Sequence, residues 1–403
     1  MTVDPLEELR EEARAFLSEQ VPKWRADEGL AEGDELTREQ RRSLQRFLHE
    51  QGWGVPTWPV EFGGRGLGMI ENLVWNQCKA EAGFQYVFDF VGMGLAGPTI
   101  IARGTPDQKD RYLPAIARGD EQWCQLFSEP GAGSDLGAIA TRADRTDDGW
   151  VVNGQKVWSS GALESDRGLL VARYDWDLPK QKGLVYLLLD MHAPGVEVRP
   201  LRQIDGGAHF AEVFFNDVVV PDADRVGEPG EGWGVAMTTL LHERSSIGGG
   251  IGSFSMPFDQ IVSLAQDRGR SRDPLTRQRL VDVFTRKKIL DVLNARVQSK
   301  LLSGQIPEAE GSVIKILMAQ LGTASATTAI ELQGAEGTLS GDRGRSGLVV
   351  QGSPQQRFLG MASLHIGGGT DEVQRNAIAE RVLGLPREPR PDKELPFKDT
   401  RRS

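Results

Sequence analysis

The chain has 403 residues, enough for two or three structural units, and its 26% charged and 39% hydrophobic residues are ordinary for a soluble globular protein. A formal net charge of −10, with no basic stripe to offset it, argues against a nucleic-acid binder. Cys78 and Cys124 have neither metal-ligand nor redox spacing and are expected as buried thiols of a reducing cytosol. The start Met1-Thr2-Val3-Asp4-Pro5 carries no basic and apolar run of a secretory signal. No apolar stretch is expected to span a bilayer, so a cytoplasmic protein is anticipated.

Helical periodicity opens the chain. Leu6, Leu9, Ala13, Phe16 and Leu17 fall on one face, and Leu44, Phe47 and Leu48 make a second stripe. The Gly- and Pro-rich stretch 53–68 breaks the pattern as a loop between helices. Near Gln122 the texture turns to strands. Trp150-Val151-Val152, Asn153-Gly154 and Val157-Trp158 read as a tight hairpin, because Asn-Gly favours the positive φ of a primed turn. Residues 183–190 and 210–220 are rich in strand formers, with turns expected at Pro194-Gly195 and Asn216-Asp217. From Gly232 long helical patterns return, through 289–302 and 313–332. The division is therefore 1–121 helical, 122–231 β and 232–403 helical: an α+β chain, not a doubly wound sheet. The tail 386–403, rich in Pro and charge, is expected to be partly disordered.

Two glycine clusters do not make a dinucleotide fold. Gly63-Gly64-Arg65-Gly66-Leu67-Gly68 follows no strand. Gly248-Gly249-Gly250-Ile251-Gly252 follows a helical segment and lacks the last glycine of the fingerprint. A Rossmann nicotinamide site is not expected.

Three other segments carry chemistry. The first is Phe127-Ser128-Glu129-Pro130-Gly131-Ala132-Gly133-Ser134-Asp135, and the second is Asn153-Gly154-Gln155-Lys156-Val157-Trp158-Ser159-Ser160-Gly161. The third is Ile366-Gly367-Gly368-Gly369-Thr370-Asp371-Glu372-Val373-Gln374-Arg375-Asn376. Glycines let a backbone approach a flat ligand, Trp158 offers an aromatic wall, and Ser128, Ser159 and Ser160 offer hydroxyl or backbone donors. Singly, each reads as a Gly/Ser turn beside an ordinary core residue. Together, and in order, they resemble the flavin and thioester motifs of acyl-CoA dehydrogenases. Trp58-Pro59, Gly63-Gly64 and Gly104-Thr105-Pro106-Asp107-Gln108-Lys109 fit that family's N-terminal helical region. The resemblance spans about residues 6 to 387. It implies an α-helical domain, a central β-barrel-like domain and a C-terminal four-helix bundle.

The resemblance also implies FAD, with cofactor contacts at Gln125, Phe127, Ser128, Gly133, Ser134, Trp158, Ser159, Ser160, Thr370 and Glu372. Substrate contacts fall at Ser134, Arg244 and Gly369. The implied reaction removes the α-proton of an acyl-CoA and sends the β-hydride to flavin N5. It needs a carboxylate base and donors for the enolate oxygen. In many members the base directly precedes the Gly-Thr of the third motif. That position here is Gly368, which has only a backbone N–H to give. Leu240-Leu241-His242-Glu243-Arg244 resembles the helix on which the isovaleryl- and long-chain-type branch carries its base, which assigns that role to Glu243.

Two further departures concern assembly. Arg268-Gly269-Arg270-Ser271-Arg272-Asp273-Pro274 lacks the Phe-Gly with which relatives reach a neighbour's FAD. Glu331-Leu332-Gln333-Gly334-Ala335-Glu336-Gly337 stands where relatives carry a Gln-x-x-Gly-Gly-x-Gly motif that meets the adenine end of FAD, and a glutamate near the pyrophosphate would be unfavourable. Both a homotetramer and an α2β2 heterotetramer with a paralogous subunit, as in actinobacterial steroid side-chain dehydrogenases, fit these departures. The expected electron acceptor is an electron-transfer flavoprotein. A same-fold flavin oxidase and a non-catalytic subunit are the competing readings.

Overall fold

The computed structural model describes residues 4–31, 34, 36–84, 88–248, 255–303, 305, 310–339 and 353–400, without the side chains of 244–248, 301 and 302. Six helices open the chain: α1 (Pro5–Ala15), α2 (Val21–Asp27), α3 (Arg38–Glu50), α4 (Met69–Glu81), α5 (Gly97–Arg103) and α6 (Pro106–Arg118). Thr37 with Gln40, and Thr105 with Gln108, form capping boxes that start α3 and α6. The two apolar stripes pack as their spacing predicts: Leu9, Ala13, Phe16 and Leu17 are buried with Leu44 and Leu48. Trp53 stacks on Trp75 at 4.2 Å between centroids, closing this core.

The strands follow: β1 (Trp123–Leu126), β2 (Arg142–Thr146), β3 (Gly149–Ser160), β4 (Arg167–Arg173), β5 (Leu184–Asp190), β6 (Val196–Leu201) and β7 (Phe210–Val220). Among the described residues they form one mixed sheet, β1-β4-β2-β3-β7-β6, with β5 paired to β4. β1 runs parallel to β4, whereas β2–β3 and β4–β5 are antiparallel. β4 and β5 are buried almost throughout, as strands covered on both faces must be.

Two expected turns are absent. Asn153-Gly154 lies inside the continuous β3, and the hairpin falls instead at Asp147-Asp148. Gly154, at φ +150°, is needed for close passage: a Cβ there would stand 2.8 Å from Thr141 Cα. Asn153 bonds across to Asp217, with Nδ2 donating to Oδ1 at 3.0 Å. Asn216-Asp217 likewise sits within β7, where Asp217 takes φ +51° as a local kink.

The helices α7 (Gly232–Gly248), α8 (Phe258–Asp267), α9 (Pro274–Leu302), α10 (Glu310–Gln333), α11 (Pro354–Ile366) and α12 (Asp371–Arg381) complete the chain. Two compact units result: 1–199 with 212–249 and 392–403, and 200–211 with 250–391. Within the second, α10 packs on α8, α9, α11 and α12. Contrary to the expectation from sequence, the helical stretch Glu310–Thr338 is long and apolar enough to cross a membrane. Its Ile314, Ala319, Leu321, Ser325, Ala329 and Leu332 are buried, as befits the core helix of a bundle.

Part of the tail expected to be partly disordered is folded. Residues 392–400 are ordered within the first unit, because Phe397 is fully buried beneath the Arg173 guanidinium, 3.6 Å from its ring centroid. Lys180 pairs with Asp392 at 2.9 Å, and Phe397 N donates to Leu178 O. Both cysteines are free and buried. Among the described residues, no His, Cys, Asp or Glu cluster suits a metal.

Candidate active site

In the first unit, β1 leads out of the core into the first motif. Gln125 is partly buried on β1, and Phe127 is buried edge-on to Tyr186 at 6.0 Å. Glu129 and Ala132 exchange both backbone hydrogen bonds, at 2.9 and 3.0 Å. The tight loop lifts Gly131, Gly133 and Ser134 to the surface, with Ser128 partly buried behind them. A Cβ on Gly133 would meet nothing within 4 Å, so this chain's own packing does not demand that glycine.

The second motif ends β3. Lys156 and Val157 are both buried, which breaks the alternation of a regular strand. Trp158 then adopts φ +60°, a left-handed conformation rare for a bulky residue, and its side chain is 60% exposed. Ser160 is partly exposed. Ser159 is buried and its Oγ has no hydrogen-bond partner, so its hydroxyl faces the interior.

These residues fit a flavin. An exposed flat indole, a nearby hydroxyl and a loop free of side chains are what an isoalloxazine ring requires. A large aromatic held at positive φ and more than half exposed on a folded domain points to a ligand surface.

The helix α7 packs on β4 and β5 and against α5. Val235 and Ala236 share a core with Phe127 and Ala132. One turn on, the buried Thr239 hydroxyl accepts from Thr99 and meets Tyr186 OH, each at 3.0 Å. Glu243 follows one further turn along, partly buried. Burial lowers the pKa of its neighbour His242. The side chain of Arg244 lies outside the described residues.

In the second unit, α11 ends at the third motif. Gly368 and Gly369 take φ +64° and +86°, conformations that favour glycine. Gln374 Nε2 donates to Gly368 O at 2.8 Å. Thr370 caps α12, its Oγ1 accepting from Val373 N at 3.2 Å, which leaves the hydroxyl proton available to a ligand. Asp371 accepts from Lys315 at 3.1 Å and lies 2.7 Å from His365 Nδ1, while His365 Nε2 lies 3.0 Å from Thr323. Burial pushes the Asp371 carboxyl up, but His365 and Lys315 outweigh it and hold it below the usual range. Glu372 is exposed and pairs with Arg375 at 3.2 Å. Elsewhere in this unit the two departures noted from sequence meet: Arg268 pairs with Glu336 at 2.6 Å.

Sequence reasoning did not assign roles to Glu129, Lys156, Lys315, His365 or Gln374. The signal for Lys156 was present: a lone charge within a strand of otherwise apolar and neutral residues.

The fold and these three motifs have counterparts in known proteins. The C-terminal, middle and N-terminal domain families of acyl-CoA dehydrogenase match residues 230–383, 124–218 and 4–120. The chain therefore belongs to the acyl-CoA dehydrogenase family, and it is an enzyme of that class. Acyl-CoA dehydrogenase IpdE1 of Mycolicibacterium smegmatis is 38% identical, over 95% of this chain and 98% of its own length. Acyl-CoA dehydrogenase FadE34 of Mycobacterium tuberculosis is also 38% identical, over 89% of this chain, which spans 48% of FadE34. Among solved structures, the Tcur3481-Tcur3483 steroid ACAD is similar with a TM-score of 0.77 and 29% identity, over 96% of this chain and all of that one.

Proposed function

We propose that the chain is an FAD-dependent acyl-CoA dehydrogenase that forms a trans-2-enoyl-CoA and passes electrons to an electron-transfer flavoprotein. The observation that carries this reading is the strained, exposed Trp158 beside the glycine-lined loop 131–134. When bound, FAD supplies the acceptor for the β-hydride. Trp158 forms the wall of the ring site, and Ser128 and Ser160, with the backbone of Ser159, donate to its polar edge. Gln125, Phe127, Gly133, Ser134, Thr370 and Glu372 complete the cofactor contacts. Ser134, Arg244 and Gly369 hold the acyl-CoA. Gly368 donates its backbone N–H to the thioester oxygen, and Glu243 removes the α-proton. Arg244 is assigned to the CoA moiety, since pairing with Glu243 would weaken the base.

The test is anaerobic titration of purified protein with a panel of acyl-CoAs, followed through flavin absorbance. Bleaching of the flavin is expected, with slow reoxidation in air; fast reoxidation would favour the oxidase. Glu243→Gln keeps the shape and removes the base, so turnover should fall by at least ~10² with flavin content unchanged. A Gln variant that reduces its flavin at the wild-type rate eliminates Glu243.

We further propose an oligomer of tetramer size, an α2β2 pairing with a paralogous subunit in preference to a homotetramer. The support is the Arg268–Glu336 pair, which occupies within one chain the cation that relatives extend to a neighbour's cofactor. The Tcur3481-Tcur3483 pairing is in line with it. Light scattering of protein expressed alone and with its paralogue tests this; a stable, active monomer overturns both forms. Gly367 stands where some relatives carry a bulky aromatic, which suits branched or polycyclic acyl groups; the same titration panel examines this.

A further inference from the structure

Directly before the strained Trp158 lies a buried ion pair that the reaction does not use. Lys156 is fully buried, and its Nζ donates to Glu129 Oε1 at 2.7 Å and to Phe127 O at 3.0 Å. Glu129 is nearly as deep; its oxygens also accept from Ala140 N at 2.7 Å and Thr141 N at 2.9 Å. Val157 N donates to Ser128 O at 2.9 Å. One ammonium and one carboxylate thus fasten three segments: the first motif loop, residues 140–141, and the end of β3. Burial pushes the Glu129 carboxyl up, yet Lys156 and the two backbone donors outweigh it and keep it ionised.

A buried ion pair adds little to stability compared with apolar residues of the same volume, and its best use is to specify one geometry. Here the geometry specified is local. Lys156 and Val157 are drawn inward together, so the chain must turn outward at the next residue, which is where φ becomes positive. We propose that the Lys156–Glu129 pair is a positioning device that fixes the left-handed backbone of Trp158 and so presents its indole, already oriented, as the flavin wall. This rests on the flavin reading above. It assigns to two charged residues an effect on cofactor affinity that acts through Trp158, without either of them touching the cofactor.

The test uses the holoenzyme, expressed with its partner where one is needed, stripped of flavin and retitrated with FAD by quenching of flavin fluorescence. Lys156→Met alone strands a buried carboxylate and is expected to fold poorly. The informative variant is therefore Lys156→Met with Glu129→Gln, which removes both charges and keeps an acceptor for Ala140 and Thr141. Its apo form should melt within a few degrees of wild type, while FAD binds at least ~10-fold more weakly, the scale of one lost positioning interaction. Trp158→Ala should weaken binding to a similar extent, and the triple variant should be no weaker than Trp158→Ala. Wild-type affinity in the double variant overturns the proposal alone, as does full additivity with Trp158→Ala. A double variant without native circular dichroism makes the pair a determinant of folding and also overturns it. Wild-type protein that binds no FAD overturns the flavin reading and this inference with it.

Discussion

All three motifs are held in place by charge, in two contrasting ways. The end of β3 is fastened by a pair sealed from water, with Lys156 fully buried and Glu129 9% exposed. The loop before α12 is fastened by Asp371 between Lys315 and His365, where His365 is 34% exposed and Thr323 lies at the surface. A sealed pair has one geometry, because no water can replace either partner. Asp371 and Lys315 lie almost as deep, at 11% and 13% exposed, but His365 reaches the surface, where solvent can make good part of its loss. The contrast matches the burdens: a strained aromatic must be held at β3, whereas the third motif bends through glycines that accept positive φ without strain.

The sharpest way to break the comparison is to delete one partner on each side. Lys156→Ala leaves a buried carboxylate alone and should destabilise the protein by about 3–5 kcal/mol in urea denaturation. A loss under ~1 kcal/mol would mean that water reaches Glu129. Asp371→Asn should cost less, about 1–2 kcal/mol near neutral pH, since Asn retains part of the hydrogen bonding. The pH sign follows from the depressed carboxyl: its stabilisation is present above the ordinary carboxylate range and is lost as pH falls through the folded value. The difference between wild type and Asp371→Asn should therefore shrink on acidification; a difference that grew would reverse the assignment. Smallest is His365→Ala, the most exposed of the partners, expected within ~1 kcal/mol of wild type by the same denaturation.

The sequence made the order of helices, strands and helices legible through its periodicity, and the motifs legible through Gly, Ser and Trp spacing. It misplaced two turns for a common reason. Asn-Gly and Asn-Asp are turn formers in isolation, but here they lie opposite one another on paired strands, and Asn153 bonds to Asp217 instead of to its own backbone. The helix α10 exceeded its expected apolar length because a bundle's central helix is buried on several sides. The grip on Trp158 was not legible. Lys156 and Glu129 are separated by 27 positions, and only folding shows that they meet.

The return of residues 392–400 to the first unit has a consequence for synthesis. Arg173 emerges from the ribosome more than two hundred residues before Phe397. Until that ring arrives, the guanidinium must rely on the carbonyls of Gly137, Ile139 and Lys180, with no aromatic lid. The first unit can therefore assemble its sheet early but cannot cover Arg173 before residue 397 has been made. Vectorial synthesis of the first unit thus includes a late step that ties residues 392–400 back onto strands made long before them.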